Sequence, residues 1–221
     1  GGIYAQGGMR VTLPSPASLV GPGGAQRPVS TQITEYLTAK GSADPNALYG
    51  VWVGANDMFS NLGLFQAGAI DAAALQTNVL AAANAEIAQI ARLQGAGAKY
   101  ILVFNIPDVG ATPQFAGPLA SSVTALAAGY NTTLFTGLQG AGLKVIPVDA
   151  FALLTDVRAN AASFGFTNTT ATACNLTLTQ GTSLFCSPAA LVAQGAATSY
   201  LFADGVHPTT GAHRIVADFV K

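Results

Sequence analysis

The sequence contains two histidines, and one of them stands where acid–base chemistry needs it. His207 lies in Ala203-Asp204-Gly205-Val206-His207-Pro208, three residues after an acidic side chain and across a turn containing glycine. A carboxylate at that spacing reaches the imidazole of its own turn. There it fixes the tautomer, orients the ring and stabilises the imidazolium that a general base becomes. The same stretch also reads as a surface turn whose Asp204 merely caps the next helix. His213, beside Arg214 within the C-terminal helical pattern, reads as a partly exposed structural residue.

Two further stretches can supply donors to a developing oxyanion. Gly54-Ala55-Asn56-Asp57 follows an apolar run, and the Asn56 side chain carries an N–H₂ suited to that task. Asn-Asp is equally common turn chemistry. Tyr4-Ala5-Gln6-Gly7-Gly8-Met9-Arg10 runs into a diglycine, which either aims a backbone N–H into a cavity or makes a plain tight turn.

The elements that must position these residues follow from short apolar runs. Tyr49–Val53, Lys99–Asn105 and Leu143–Val148 each stop at a turn signal, as strands buried on both faces of a parallel sheet do. Asp71–Gln94 carries Leu75, Val79, Ile87, Ile90 and Leu93 at helical spacing, with Asp71 placed to cap its start. Leu119–Leu138 and Pro208–Val220 are further helices, Pro208 suiting a first turn. Strand–helix alternation predicts one α/β domain. Its ligand site lies at the carboxyl ends of the strands, at Gly54–Asp57, Asn105–Asp108 and Asp149. Asp108 and Asp149 are read there as cap or turn residues. Pro14–Pro28 reads as a surface loop, and Asn160–Ser199 as a long loop holding both cysteines.

Composition narrows the partners. The 221 residues are half hydrophobic, only 9% are charged, and the net charge is −1. No basic field exists to attract nucleic acid, and disordered chains have the opposite composition. The longest apolar stretches are too short to span a bilayer. Separated histidines and scattered carboxylates predict no metal site. Cys174 and Cys186 predict either a local disulfide or two buried free thiols. A bridge closing that loop would stabilise it by on the order of 3 kcal/mol in the chain-entropy model, and would place the protein in an oxidising compartment. The opening Gly1-Gly2-Ile3-Tyr4 has no leader pattern, so any export signal is expected to have been removed.

In their order, Tyr-Ala-Gln-Gly-Gly, Gly-Ala-Asn-Asp, Asn-Ile-Pro-Asp-Val-Gly-Ala-Thr-Pro and Phe-Ala-Asp-Gly-Val-His-Pro resemble the GDSL, or SGNH, hydrolases. The resemblance runs from Tyr4 to Val220 and is strongest for bacterial esterases carried as autotransporter passengers. It implies a three-layer α/β/α sandwich with a central parallel sheet, related to flavodoxin-like folds, that hydrolyses esters or lipids through a serine without metal or cofactor. Residue by residue, it implies that His207 is the general base and Asp204 its partner. Gly8 and Asn56 become oxyanion donors, with Gly7 as the alternative to Gly8. Met58, Phe59 and Leu62, following the oxyanion residue, become candidates for an acyl-chain groove, or else pack beneath the next helix. It also implies a secreted or cell-surface location and a tether to an outer-membrane β-barrel.

One element of the family pattern is absent. No Gly-Asp-Ser occurs in the sequence, and Gly181-Thr182-Ser183-Leu184 follows no strand and falls in the wrong order. The favoured expectation is that the first strand and the nucleophilic serine lie on a segment outside this chain, whether cleaved, disordered or carried as a separate N-terminal fragment. A serine-less adhesin-like binding module, another nucleophile, and a carbohydrate deacetylase of the same superfamily are the alternatives.

Overall fold

The apolar runs pair as strands. In the computed structural model, which describes residues 2–14 and 26–221, β1 (Leu48–Val51), β2 (Tyr100–Phe104) and β3 (Ile146–Val148) lie side by side in that order. All are parallel, with Val51 opposite Val103 and Phe104 opposite Val148. Contacts divide the chain into two units, Gly1–Ile106 with Leu126–Val148, and Pro107–Ala125 with Asp149–Lys221.

The first unit is built on this sheet. Its helices include α1 (Val29–Lys40), α2 (Ala55–Gln66) and α3 (Ala72–Gly95). The Asp71 carboxylate accepts from the Ala74 N–H at 2.8 Å, which is the expected cap of α3. The buried stripe of α3 is Leu75, Val79, Ala82, Ala83, Glu86, Gln89, Ile90 and Leu93. Ile87, expected on that face, is only half-buried, and Glu86 takes the fully buried position beside it. A carboxyl is tolerated there because the Tyr130 hydroxyl donates to it at 2.6 Å. Burial pushes Glu86 up to about 8, so it is mainly protonated at neutral pH. Tyr130 sits on α4 (Ala120–Gly140), the helix expected at 119–138.

The second unit carries a two-stranded parallel pair, β4 (Asn168–Thr172) and β5 (Tyr200–Phe202). The 160–199 segment therefore holds a strand within the stretch read as loop. Its Thr/Asn-rich sequence has β-branched residues but no apolar alternation to announce it. The core here is Leu153 and Val157 of α5 (Ala150–Ala159) with Phe166, Leu201, Phe202 and Ala212. A short helix, α6 (Ala196–Ser199), precedes β5, and α7 (Thr210–Val220) closes the chain. Asp149 caps α5 by accepting from the Ala152 N–H at 2.9 Å, as expected. Most of the Pro14–Pro28 loop lies outside the described residues. No helix among the described residues is long and apolar enough to cross a membrane.

Candidate active site

The turn after β5 closes on itself. Ala203 N–H donates to His207 O at 2.7 Å, and Phe202 bridges to Pro208. Asp204 points into this turn, where its Oδ1 accepts from the Val206 and His207 backbone N–H groups at 3.0 and 2.8 Å. Aspartate favours such local bonding to backbone two and three residues ahead. The same carboxylate meets His207 Nδ1 at 2.9 Å through Oδ1 and 2.8 Å through Oδ2. Its side chain is 4% exposed, whereas that of His207 is 63% exposed. A buried acid thus faces an accessible imidazole.

Asp204 does not cap α7. That task belongs to Thr209, whose hydroxyl accepts from the Ala212 N–H at 3.2 Å. Pro208 accordingly precedes the cap rather than occupying the first helical turn, and α7 starts at Thr210. His213 Nδ1 faces the Thr209 carbonyl at 2.9 Å, a local helical contact that fits its structural reading.

The electrostatics of the pair run in one direction. Burial pushes the Asp204 carboxyl up, but the His207 side chain, the backbone N–H groups of Val206 and His207, and the Ser183 side chain outweigh it and hold the group well below the usual carboxylate range. The Asp204 hydrogen bond raises His207, and partial burial opposes it. With Nδ1 bound to a carboxylate, the ring presents Nε2 as its basic nitrogen.

In the other unit, the Gly-Ala-Asn-Asp motif ties two distant segments together. Gly54 ends the approach from β1 with φ +104°, and α2 begins immediately after it. The Asn56 amide donates to Met9 O at 3.0 Å, leaving its second N–H without a partner among the described residues. Asp57, 2% exposed, accepts from Arg10 Nε at 3.2 Å and from the Val11 N–H at 3.0 Å. Burial still pushes its carboxyl above the ordinary value, with the Val11 N–H and Arg10 opposing. Both polar residues of the motif therefore hold the segment 9–11, directly after Gly8. Within the diglycine, Gly8 and not Gly7 has a positive φ, +81°, so position 8 is the one that favours glycine.

The structure brings Asp204 onto His207, and Asn56 onto the residue after Gly8. Met58 and Leu62, 0% and 5% exposed, are packing residues of α2. Residues 58–65 are helical, although their position after a strand suggested a loop; among the three groove candidates only Phe59 keeps accessible surface. Cys174 and Cys186 form a disulfide, with a Cα–Cα distance of 5.9 Å. Among the described residues, no three His, Cys, Asp or Glu side chains cluster as metal ligands.

A family model for GDSL-like lipase/acylhydrolase matches residues 14–220. The chain belongs to that family. A parallel sheet flanked by helices, the fold class expected from the sequence, is that of the GDSL proteins. Esterase EstA of Pseudomonas aeruginosa is 37% identical over 184 residues, which are 80% of this chain and 26% of that protein. An uncharacterized Pseudomonas putida protein is 34% identical over 189 residues, 83% of this chain and 30% of its own length. A GDSL esterase/lipase of Arabidopsis thaliana is 30% identical over 141 residues, 58% of this chain and 39% of that protein. The chain thus spans between a quarter and a third of the two Pseudomonas relatives.

Two participants escaped the sequence reading of this GDSL chain. Arg10 is the ion-pair partner of Asp57, and nothing local marks it, since they are 47 residues apart. Ser183 donates its backbone N–H to Asp204 Oδ2 at 2.6 Å. A backbone donor leaves no residue-type signal at all.

Proposed function

We propose that this chain forms the acid–base and oxyanion part of a carboxylic-ester hydrolase that works through a serine acyl-enzyme. The observation that carries the reading is the Asp204–His207 pair, a buried carboxylate holding Nδ1 of an accessible imidazole at 2.8 Å. His207 takes the proton of the attacking serine on Nε2 and later returns it to the leaving alcohol, while Asp204 stays ionised and stabilises the imidazolium. Asn56 supplies the N–H of its side chain to the oxyanion, and Gly8 its backbone N–H. Losing one such donor costs about 10²–10³ in rate.

The serine lies on a segment outside this chain, in this reading. Its support is the lack of any Gly-Asp-Ser in the sequence, together with the surface of the sheet. Leu48, Tyr100 and Ile146 are 61%, 52% and 46% exposed, although parallel sheets are normally covered on both faces. The disulfide supports work outside the cytoplasm, at the cell surface or in secreted form. A tether to an outer-membrane β-barrel follows from the passenger-like motifs alone.

Hydrolysis of short-chain p-nitrophenyl esters and labelling by a fluorophosphonate test the reading. This chain should be inert alone and active once joined to a polypeptide carrying the Gly-Asp-Ser segment, with His207→Ala abolishing turnover. Activity in the isolated chain would place the nucleophile within it. An assembled protein that ignores both reagents would favour a non-catalytic binding module, and selective release of acetate from carbohydrate would favour a deacetylase.

A further inference from the structure

Asp204 is held from two sides. The turn it belongs to supplies the Val206 and His207 N–H groups to Oδ1, and Oδ2 receives the Ser183 N–H from the loop between the cysteines. That loop is fastened close to Asp204 at both ends. At its start, the Cys174 N–H donates to Ala203 O at 3.0 Å, one residue before Asp204. At its finish, Cys186 lies three residues beyond Ser183 and is bonded back to Cys174. The bridge therefore closes a ring of chain that joins Ala203 to Ser183 through Cys174.

Inside the ring the backbone is bent to deliver Ser183. Gln180 has φ 55° and Gly181 has φ 81°, and Gln180 is the one non-glycine with positive φ among the described residues. Left-handed backbone at a non-glycine persists where the surroundings over-determine it. The surroundings here are Thr179, fully buried, and the Gly181 N–H bound to Leu176 O at 2.8 Å. Thr182 is then extended, and a short 3-10 turn starts at Ser183 with its N–H directed at the carboxylate.

We infer that the disulfide-closed loop Cys174–Cys186 is a positioning element of the Asp204–His207 pair, with the Ser183 backbone N–H as the donor that holds Asp204 Oδ2. The inference rests on reading Asp204 and His207 as the acid–base pair. Ser183 meets the carboxylate through its backbone N–H, with its side chain adding to the hold, so the Gly-Thr-Ser-Leu likeness to a nucleophile motif is incidental. Opening the bridge lets the loop leave and exposes the carboxylate to water, which makes the pair sensitive to reductants. His207 is the titratable side chain that faces Asp204 among the described residues; Val206 faces it through its backbone N–H, and Ser183 through its backbone N–H and side chain.

Position 183 permits a clean test. It opens a 3-10 turn, and Thr182 before it has φ −132° and ψ 145°, which suits a following proline. Ser183→Pro removes the N–H, whereas Ser183→Ala keeps it. The readout is the carboxyl ¹³C titration of Asp204 by NMR in the full chain. Ser183→Pro should bind its Asp204 proton about tenfold more tightly than wild type, because a carboxylate loses one of its backbone donors. Ser183→Ala, which loses only the hydroxyl, should shift less than Ser183→Pro, an equal shift overturning the part given to the N–H. The Cys174→Ser/Cys186→Ser pair should shift in the same direction as Ser183→Pro.

Wild-type titration in both Ser183→Pro and the cysteine pair would overturn the inference. A shift in Ser183→Pro alone would overturn the part given to the disulfide. If Ser183→Pro does not fold, the cysteine pair and the reduced wild-type chain carry the test. Asp204→Asn separates the underlying reading, since it should return the raised His207 imidazole to its ordinary value or below. An imidazole indifferent to Asp204→Asn would sink the acid–base pair itself, whatever the loop does.

Discussion

Replacing Gly54 by alanine attacks the junction that aims Asn56. Gly54 has φ +104°, and a Cβ there would stand 3.0 Å from Cε1 of Tyr130 and closer still to its Cζ and Oη. Tyr130 cannot easily yield. It is fully buried, and its hydroxyl is bound to the equally buried Glu86. Left-handed backbone costs an L-residue about 1–2 kcal/mol, and overpacking a tight core costs about 1–3 kcal/mol. Together these predict a loss of about 2–5 kcal/mol for Gly54→Ala. Gly50→Ala is the control, because a Cβ at Gly50 in β1 meets nothing within 4 Å and its φ is not positive. It should change stability by less than about 0.5 kcal/mol, or improve it slightly. Urea unfolding of the two variants beside wild type measures the difference. Should Gly54→Ala fall within about 1 kcal/mol of Gly50→Ala, the account of Gly54 as a packing-determined glycine is wrong.

Other outcomes follow from the buried groups. Glu86 keeps its proton in the folded state up to about 8 but loses it near 4.5 when unfolded. Between those values the folded state binds more protons, so stability should fall as pH rises, and Glu86→Gln should remove that slope in pH-dependent denaturation. Asp57→Ala strips Arg10 and the Val11 N–H of their shared acceptor. Chemical denaturation should register a loss of about 3 kcal/mol, as for breaking a buried ion pair. If His207 is the general base of the proposed hydrolase, kcat/KM should fall as pH drops through a midpoint above 6.5, because a general base must be neutral to act and Asp204 raises His207 above that ordinary value. Measured pH–rate profiles of wild type and Asp204→Asn check this, the variant's residual activity showing a lower midpoint.

What could be read from the sequence was local in the chain. Asp204 and His207 are three residues apart, so their pairing needs only the turn that Gly205 and the aspartate's own backbone bonds create. The caps at Asp71 and Asp149 are likewise bonds across three residues. The apolar runs of β1, β2 and β3 announce themselves as short continuous apolar segments ending in turn signals, although the expected burial on both faces is not met, Leu48, Tyr100 and Ile146 being exposed. Motif order then carried the family assignment, since it depends on succession and not on distance.

Other features depended on partners far away in sequence. Glu86 looks like an ordinary solvated residue of a helix until Tyr130, 44 positions on, supplies a donor that lets it be buried. Asp57 looks like a turn residue until Arg10 and Val11 claim it. Met58 and Leu62 look like a groove until the helix turns them inward. Ser183 reaches Asp204 across 21 residues, through a bridge and a left-handed bend that residue types do not encode. Spacing in the chain therefore determined the hydrogen-bonded Asp204–His207 pair, the caps, the central strands and the family. Tertiary structure alone decided which polar groups are buried, because removing a polar group from water is tolerable only where folding brings it a partner.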